Sequence, residues 1–268
     1  MFILGNLHSL LGSLIQCSYN SIIFPQQKNI MLDQDRRFIL QLDNYMMDEL
    51  SISECSFLSE HYDDSLFLSY NIPFPHSLKN AVVTRKAEYL AGRICSQKAL
   101  AILNIKGFNV LSDSNRCSLW PDGIKGSITH SRYNAMAAIT QEKSIFSVGI
   151  DLEPIVKTEV MLNIKDQISS YHEMKLITSF YPDEIAFTLL FSAKESFFKA
   201  AYPSIKKYFN FDTIELIDFS IEKNILAFSM QKDLNDFFKK DNLYYAKFRV
   251  KNNYVVTHII INKSVMLP

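Results

Sequence analysis

The stretch Ser144-Ile145-Phe146-Ser147-Val148-Gly149-Ile150-Asp151-Leu152-Glu153 decides how the rest of the chain is read. Side chains on an extended strand alternate between two faces. Ile150 and Leu152 therefore share one face and Asp151 and Glu153 the other, and Pro154 closes the strand because it has no N–H to donate. Downstream, Asn163 to Phe180 reads as helical, and Ala186 to Ala201 is a strong helix ended by Tyr202-Pro203. Upstream, Val83 to Leu103 carries Tyr89, Leu90, Ile94, Ala99, Leu100 and Leu103 at helical spacing, with Thr84 as its expected N-cap. Gly126 to Thr140 reads as two short strands turning near Ser131 to Asn134. Tyr244 to Ile261 reads as a hairpin turning at Asn252-Asn253. Met31 to Leu58 is ambiguous between helix and strand, and Asn109 to Asp122 is irregular. Each half of the chain thus holds one long helix followed by strand pairs, a loose echo of two related halves.

The 268 residues balance 28 basic against 28 acidic side chains, with 48% hydrophobic and 21% charged. That composition belongs to an ordinary globular protein and excludes a disordered tail or a basic nucleic-acid coat. No nucleic-acid partner is expected. Cys17, Cys55, Cys95 and Cys117 are too scattered for a CxxC pair, which excludes a zinc knuckle; free thiols in a chain this long point to a reducing, cytoplasmic compartment. Met1 to Phe24 is apolar only in patches, broken by Gly5, Asn6 and His8, with no Lys or Arg before Lys28. It suits neither a signal peptide nor a membrane span. Residues 1–30 are read as an N-terminal extension, with Met1 and Met31 both open as starts.

Four clusters carry chemistry. Asp151 and Glu153 share a strand face, either as solvated acids at a strand edge or as oxygen ligands for a hard cation such as Mg²⁺. In Phe191-Ser192-Ala193-Lys194-Glu195-Ser196-Phe197-Phe198-Lys199, Glu195 and Lys199 lie four apart on one helix face, either as a surface pair or as a third carboxylate beside a phosphate-binding lysine. Arg85 and Arg93 are eight apart on one helix, within roughly 80° of each other, and Arg116 comes next in the irregular loop. Three of only seven arginines thus surround one helix–loop unit, as solvated charges or as forks for phosphate oxygens. Thr129-His130 ends a strand beside a polar turn, where a hydroxyl and an imidazole can be structural or can hold phosphate.

In order and spacing these clusters resemble the 4'-phosphopantetheinyl transferases, specifically the enterobactin synthetase component D type of the Sfp-like group. The resemblance rests on Arg85-Lys86-Ala87-Glu88-Tyr89-Leu90-Ala91-Gly92-Arg93, on Trp120-Pro121-Asp122-Gly123 running into Gly126-Ser127-Ile128-Thr129-His130, on Gly149 to Glu153, and on Phe191 to Ser196 with Lys199. It covers about Val83 to Ala201. Thr129 stands where members commonly have Ser, and Cys117-Ser118 succeed Arg116 where members often have Pro.

The resemblance implies an α+β fold, a pseudo-dimer of two similar α/β halves (31–145 and 146–268), acting as a monomer with coenzyme A between the halves. It implies transfer of the 4'-phosphopantetheine arm of CoA to a serine of an apo acyl, aryl or peptidyl carrier protein, releasing 3',5'-ADP, in the service of nonribosomal peptide (siderophore) synthesis. By that match Asp151, Glu153 and Glu195 hold Mg²⁺, Glu195 assists deprotonation of the serine, and Lys194 and Lys199 neutralise phosphate charge. Arg85, Arg93, Arg116, Thr129 and His130 hold the nucleotide phosphates. A Mg²⁺-dependent phosphohydrolase and an inactive CoA- or carrier-binding module are the competing readings. The Lys206-Lys207 pair is either a basic docking point for an acidic carrier or a solvated turn.

Overall fold

The computed structural model describes residues 37–266, so the extension expected over 1–30 lies outside the described residues. In chain order, β1 (Ile39–Met47) and β2 (Leu50–Phe57) are followed by a single-turn helix α1 (Leu66–Ser69) and the long α2 (Val83–Ile102). A two-residue ribbon, β3 (Leu111–Ser112) with β4 (Ser118–Leu119), precedes β5 (Lys125–His130), β6 (Asn134–Thr140) and β7 (Ile145–Pro154). Then come α3 (Thr158–Ile168), α4 (Tyr171–Thr178), α5 (Asp183–Ile205), β8 (Ile214–Ser220), β9 (Ile225–Met230), β10 (Leu243–Val250) and β11 (Tyr254–Asn262). Two antiparallel sheets result, ordered β1-β2-β6-β5 and β7-β11-β10-β9-β8.

Strand alternation builds the layers. Cys55, Phe57, Ala135, Ala137 and Ile139 face α2, where they meet Ala91, Ile94 and Cys95. Their neighbours Leu50, Ile52, Met136 and Ala138 point the other way, onto Val148, Ile150, Leu152 and Val256 of the second sheet. The far face of that sheet, with Val255, Ile259 and Phe228, packs on Ala193, Phe197 and Ala200 of α5. The order is helix, sheet, sheet, helix: two α/β halves set back to back.

Several local expectations are corrected. The ambiguous stretch before residue 58 is the β1–β2 hairpin, turning at Asp48 with φ 52°. Thr84 is inside α2 and not its cap; Val82 holds the extended cap position with no side-chain bond. The helical stretch 163–180 is two helices, because Ser170 caps α4 through a reciprocal bond with Glu173. Pro203 does not end α5, which runs to Ile205 and closes on Lys206 in the left-handed region at φ 55°. A proline in the last turn costs one backbone bond, and stacking of Phe198 on Tyr202, with Tyr208 against both, supports that turn. The β8–β9 hairpin has no counterpart among the sequence expectations.

Candidate active site

Gly149 sets the geometry. A Cβ there would lie 1.8 Å from the Ser196 carbonyl oxygen, so only glycine lets α5 rest directly on the β7 backbone. Ser192 and Ser196 fix the rotation of the helix through Thr257 on β11, at 2.9 Å and 2.8 Å between hydroxyls. That seating turns Glu195 and Lys199 toward the β7 face that carries Asp151 and Glu153.

The Lys199 ammonium donates to Asp151 Oδ1 at 2.6 Å and to Thr129 Oγ1 at 3.0 Å. Burial would lower the Lys199 pKa, yet Asp151, Glu195 and Glu153 together raise it, so the ammonium is charged throughout the neutral range. Thr129 Oγ1 also accepts from Leu152 N and donates to Asp151 Oδ1, both at 3.2 Å, which uses its whole bonding capacity. It positions Asp151 and Lys199 and has nothing left for a phosphate. Asp151 is 2% exposed, and its Oδ2 is buried without a hydrogen-bond partner. Glu153 is half-buried; desolvation first, and then Asp151 and Glu195 against the pull of Lys199, push its carboxyl well above the usual range.

Because alternate residues of β5 face opposite ways, His130 leaves Thr129 behind and turns to α2. Its Nε2 lies 2.7 Å from Arg85 Nη1, and its Nδ1 3.5 Å from Glu88 Oε2. These groups line a cavity of about 920 Å³ together with Tyr89, Arg93 and Arg116. Arg93 is buried, held by Ser112 Oγ at 2.6 Å and Ser118 Oγ at 3.4 Å, with its guanidinium 4.4 Å from the Tyr89 ring centroid. Arg116 adopts φ 66°, an uncommon conformation for arginine. Asp113 holds that turn by accepting from Asn115 N and Cys117 N, and Lys206 ties it to α5 at 3.0 Å from Asp113 Oδ2. Lys206 is thus engaged in this strut. Arg116 also borders a second cavity of about 430 Å³, lined by Trp120, Phe198, Lys199, Tyr202 and Tyr208.

Lys194 does not join the cluster. It lies one helical step from Glu195, which turns it about 100° away, to Glu173 Oε1 at 2.7 Å and the Ile168 carbonyl at 2.8 Å. Sequence reasoning missed Glu173, and also Glu88, whose spacing of three from Arg85 put both on one helix face.

Whether the carboxylates suit a divalent cation is a matter of donor chemistry. Among the described residues, no three His, Cys, Asp or Glu side chains close into a ready-made metal cage. The buried, unpartnered Asp151 Oδ2 and the raised Glu153 carboxyl are nevertheless what a hard cation would satisfy. Among the described residues no helix is long and apolar enough to cross a membrane.

Comparison with known proteins meets this geometry at two places. A family model described as the 4'-phosphopantetheinyl transferase N-terminal domain matches residues 74–140, and one described as the 4'-phosphopantetheinyl transferase superfamily matches residues 147–259. Enterobactin synthase component D of Salmonella typhimurium is 36% identical over 143 residues, 52% of this chain and 59% of that protein. The 4'-phosphopantetheinyl transferase Svp of Streptomyces mobaraensis is 33% identical over 155 residues, 58% of this chain and 63% of that protein. The 4'-phosphopantetheinyl transferase PptT of Mycobacterium tuberculosis is 31% identical over 137 residues, 50% of this chain and 59% of that protein. The chain spans about three fifths of the length of the curated relatives it matches.

Proposed function

The chain belongs to the 4'-phosphopantetheinyl transferase superfamily, and from that premise we propose that it transfers the 4'-phosphopantetheine arm of coenzyme A to a serine of an apo carrier protein, releasing 3',5'-ADP. One observation carries the reading. The end of β5 joins two opposite chemistries, with Thr129 bonded to the Asp151–Lys199 pair on one face and His130 among the arginines on the other. A pyrophosphate bridging nucleotide and pantetheine needs such a junction.

In this proposal Arg85, Arg93, Arg116 and His130 bind the nucleotide phosphates in the larger cavity, and the cavity beyond Lys199, lined by aromatic and polar side chains, receives the pantetheine arm. The carrier serine oxygen attacks the phosphorus that bears pantetheine. The anhydride P–O bond breaks, and 3',5'-ADP carries away the negative charge. Glu195 takes the serine proton, and Lys199 neutralises charge gathering on the phosphoryl oxygens. Asp151, Glu153 and Glu195 would hold Mg²⁺, which when bound polarises the pyrophosphate and stabilises the leaving oxygen. Thr129 positions Lys199, and Lys194 acts outside the site. Component D relatives suggest a carrier in siderophore assembly. Cys55 and Cys95, buried and free with sulfurs 3.4 Å apart, suit a reducing, cytoplasmic setting, and the paired halves suit a monomer.

The test is the intact mass of apo carriers, one aryl or peptidyl and one fatty-acid type, after incubation with the protein, CoA and Mg²⁺. The expected result is a gain of one phosphopantetheine, lost with EDTA. Binding of CoA with no mass gain on either carrier would favour the inactive binding module, and release of inorganic phosphate would favour the phosphohydrolase.

A further inference from the structure

A buried carboxylate in the wall of an anion-binding cavity works against anion affinity, and Glu88, 5% exposed, is such a group. It lies 3.5 Å from Arg85 Nη1 and 3.5 Å from His130 Nδ1. Arginine has only donors. The 2.7 Å contact between Arg85 Nη1 and His130 Nε2 therefore requires a bare lone pair on Nε2, and the single proton of the neutral ring must sit on Nδ1, facing Glu88. Arg85, His130 and Glu88 form a closed ring of contacts on the cavity wall.

A phosphate is a stronger partner for Arg85 than a neutral imidazole nitrogen, because it brings a full opposite charge and two oxygens that the guanidinium fork can bind at once. Taking Arg85 away leaves His130 Nε2 beside an anion. We propose that Glu88 is a positioning residue that keeps His130 in the Nδ1–H form, and that a phosphate monoester entering the cavity draws Arg85 off His130, whose freed Nε2 then binds one proton from solvent. The resulting imidazolium donates from Nε2 to the phosphate and from Nδ1 to Glu88. This rests on the reading of the cavity as the nucleotide-phosphate site.

The charged surroundings agree. Arg85 and Arg93 on α2 lie beside the ring, Lys199 on α5 acts on it electrostatically from the other face of β5, Arg116 and Asp113 share the cavity, and β7, packed beside β5, carries Asp151 and Glu153. Burial, then Arg85, Lys199 and Arg93, hold the empty-state imidazole well below its ordinary pKa, so the ring is neutral at pH 7 until an anion arrives.

Calorimetric titration of the full chain with 3',5'-ADP, at pH 7.5 in buffers of different ionisation enthalpy, counts the protons exchanged. A phosphate monoester, with second pKa about 6, is already dianionic there, and its residual contribution is release, opposite in sign. The expected result is net uptake, lost in His130→Asn and at least about halved in Glu88→Gln. Binding whose heat does not depend on buffer overturns the coupling and leaves the site reading intact. Absence of binding overturns both. Full uptake in Glu88→Gln overturns the role of Glu88. Nitrogen-15 spectra of the wild-type His130 ring give a check that needs no variant: Nδ1–H in the free protein is expected, and Nε2–H overturns the proposal.

Discussion

Lys194 and Lys199 stand five residues apart on α5, and each donates to a carboxylate at 2.7 Å or less. Around Lys194 every partner is used. Glu173 Oε1 also accepts from Leu216 N at 2.9 Å, Glu173 Oε2 accepts from Ser170 N at 2.8 Å, and Lys194 itself reaches the Ile168 carbonyl. Desolvation there outweighs Glu173 and lowers the lysine pKa. Around Lys199 there is an excess of negative charge: Asp151 Oδ2 is buried without a partner, and three carboxylates raise the lysine pKa. The same pair of residue types is thus a strut where its bonding is saturated and a candidate site where it is not.

The sharpest way to break that contrast is on the unsaturated side. Glu195→Gln is expected to lower transfer by about 10²–10⁴-fold, the range for losing a general base or a preorganised electrostatic group, with Tm little changed; near wild-type turnover on a carrier would end the assignment. On the saturated side, Lys194→Met leaves Glu173 buried without its cation and is expected to cost about 3–5 kcal/mol of stability. Urea denaturation would read this, while kcat per folded molecule stays close to wild type. Loss of kcat at unchanged stability would place Lys194 in the reaction after all.

A third pair, a buried histidine beside an exposed aspartate, sharpens the comparison at the seam between the sheets. His258 Nε2 lies 3.4 Å from Asp48 Oδ2, and burial, against the pull of Asp48, lowers the His258 pKa to about 4. Above about pH 6.5 the ring is neutral folded and unfolded, so it adds no pH dependence. Between 6.5 and 4 only the unfolded chain takes the proton, so stability falls with pH, by about 3 kcal/mol from this group, and below 4 the loss saturates. His130 acts in the same direction. Urea titrations at pH 7 and 4.5 should show this loss in the wild type and a smaller one in His258→Gln; an equal loss in both would remove His258 as the cause. The smallest effect is expected at Arg93, already tied to Ser112, Ser118 and Tyr89. Arg93→Ala should raise KM for CoA by about tenfold and leave kcat within a few-fold, the signature of uniform binding.

Period and chemical type can be read along the chain, and the features that depend on them alone were legible before any contact was known. The faces of β7 are one case, because alternation is a local property: Ile150 and Leu152 enter the core between the sheets while Asp151 turns to α5. The two long helices and the β10–β11 hairpin were legible for the same reason, as was the gathering of Arg85, Arg93 and Arg116 around one helix–loop unit, where all three line one cavity. Which charges share a partner was settled only by the packing of distant segments. Lys194 and Lys199 are equally plausible phosphate ligands in a linear reading, and only the seating of α5 over Gly149 sends one to Glu173 and the other to Asp151. Thr129 and His130 are neighbours in sequence, yet the strand pleat assigns them to opposite clusters. Helix ends were misjudged at Thr84 and Pro203 because packing can override a cap or a breaker. Electrostatic coupling depends on distance and burial, which the order of residues alone does not fix.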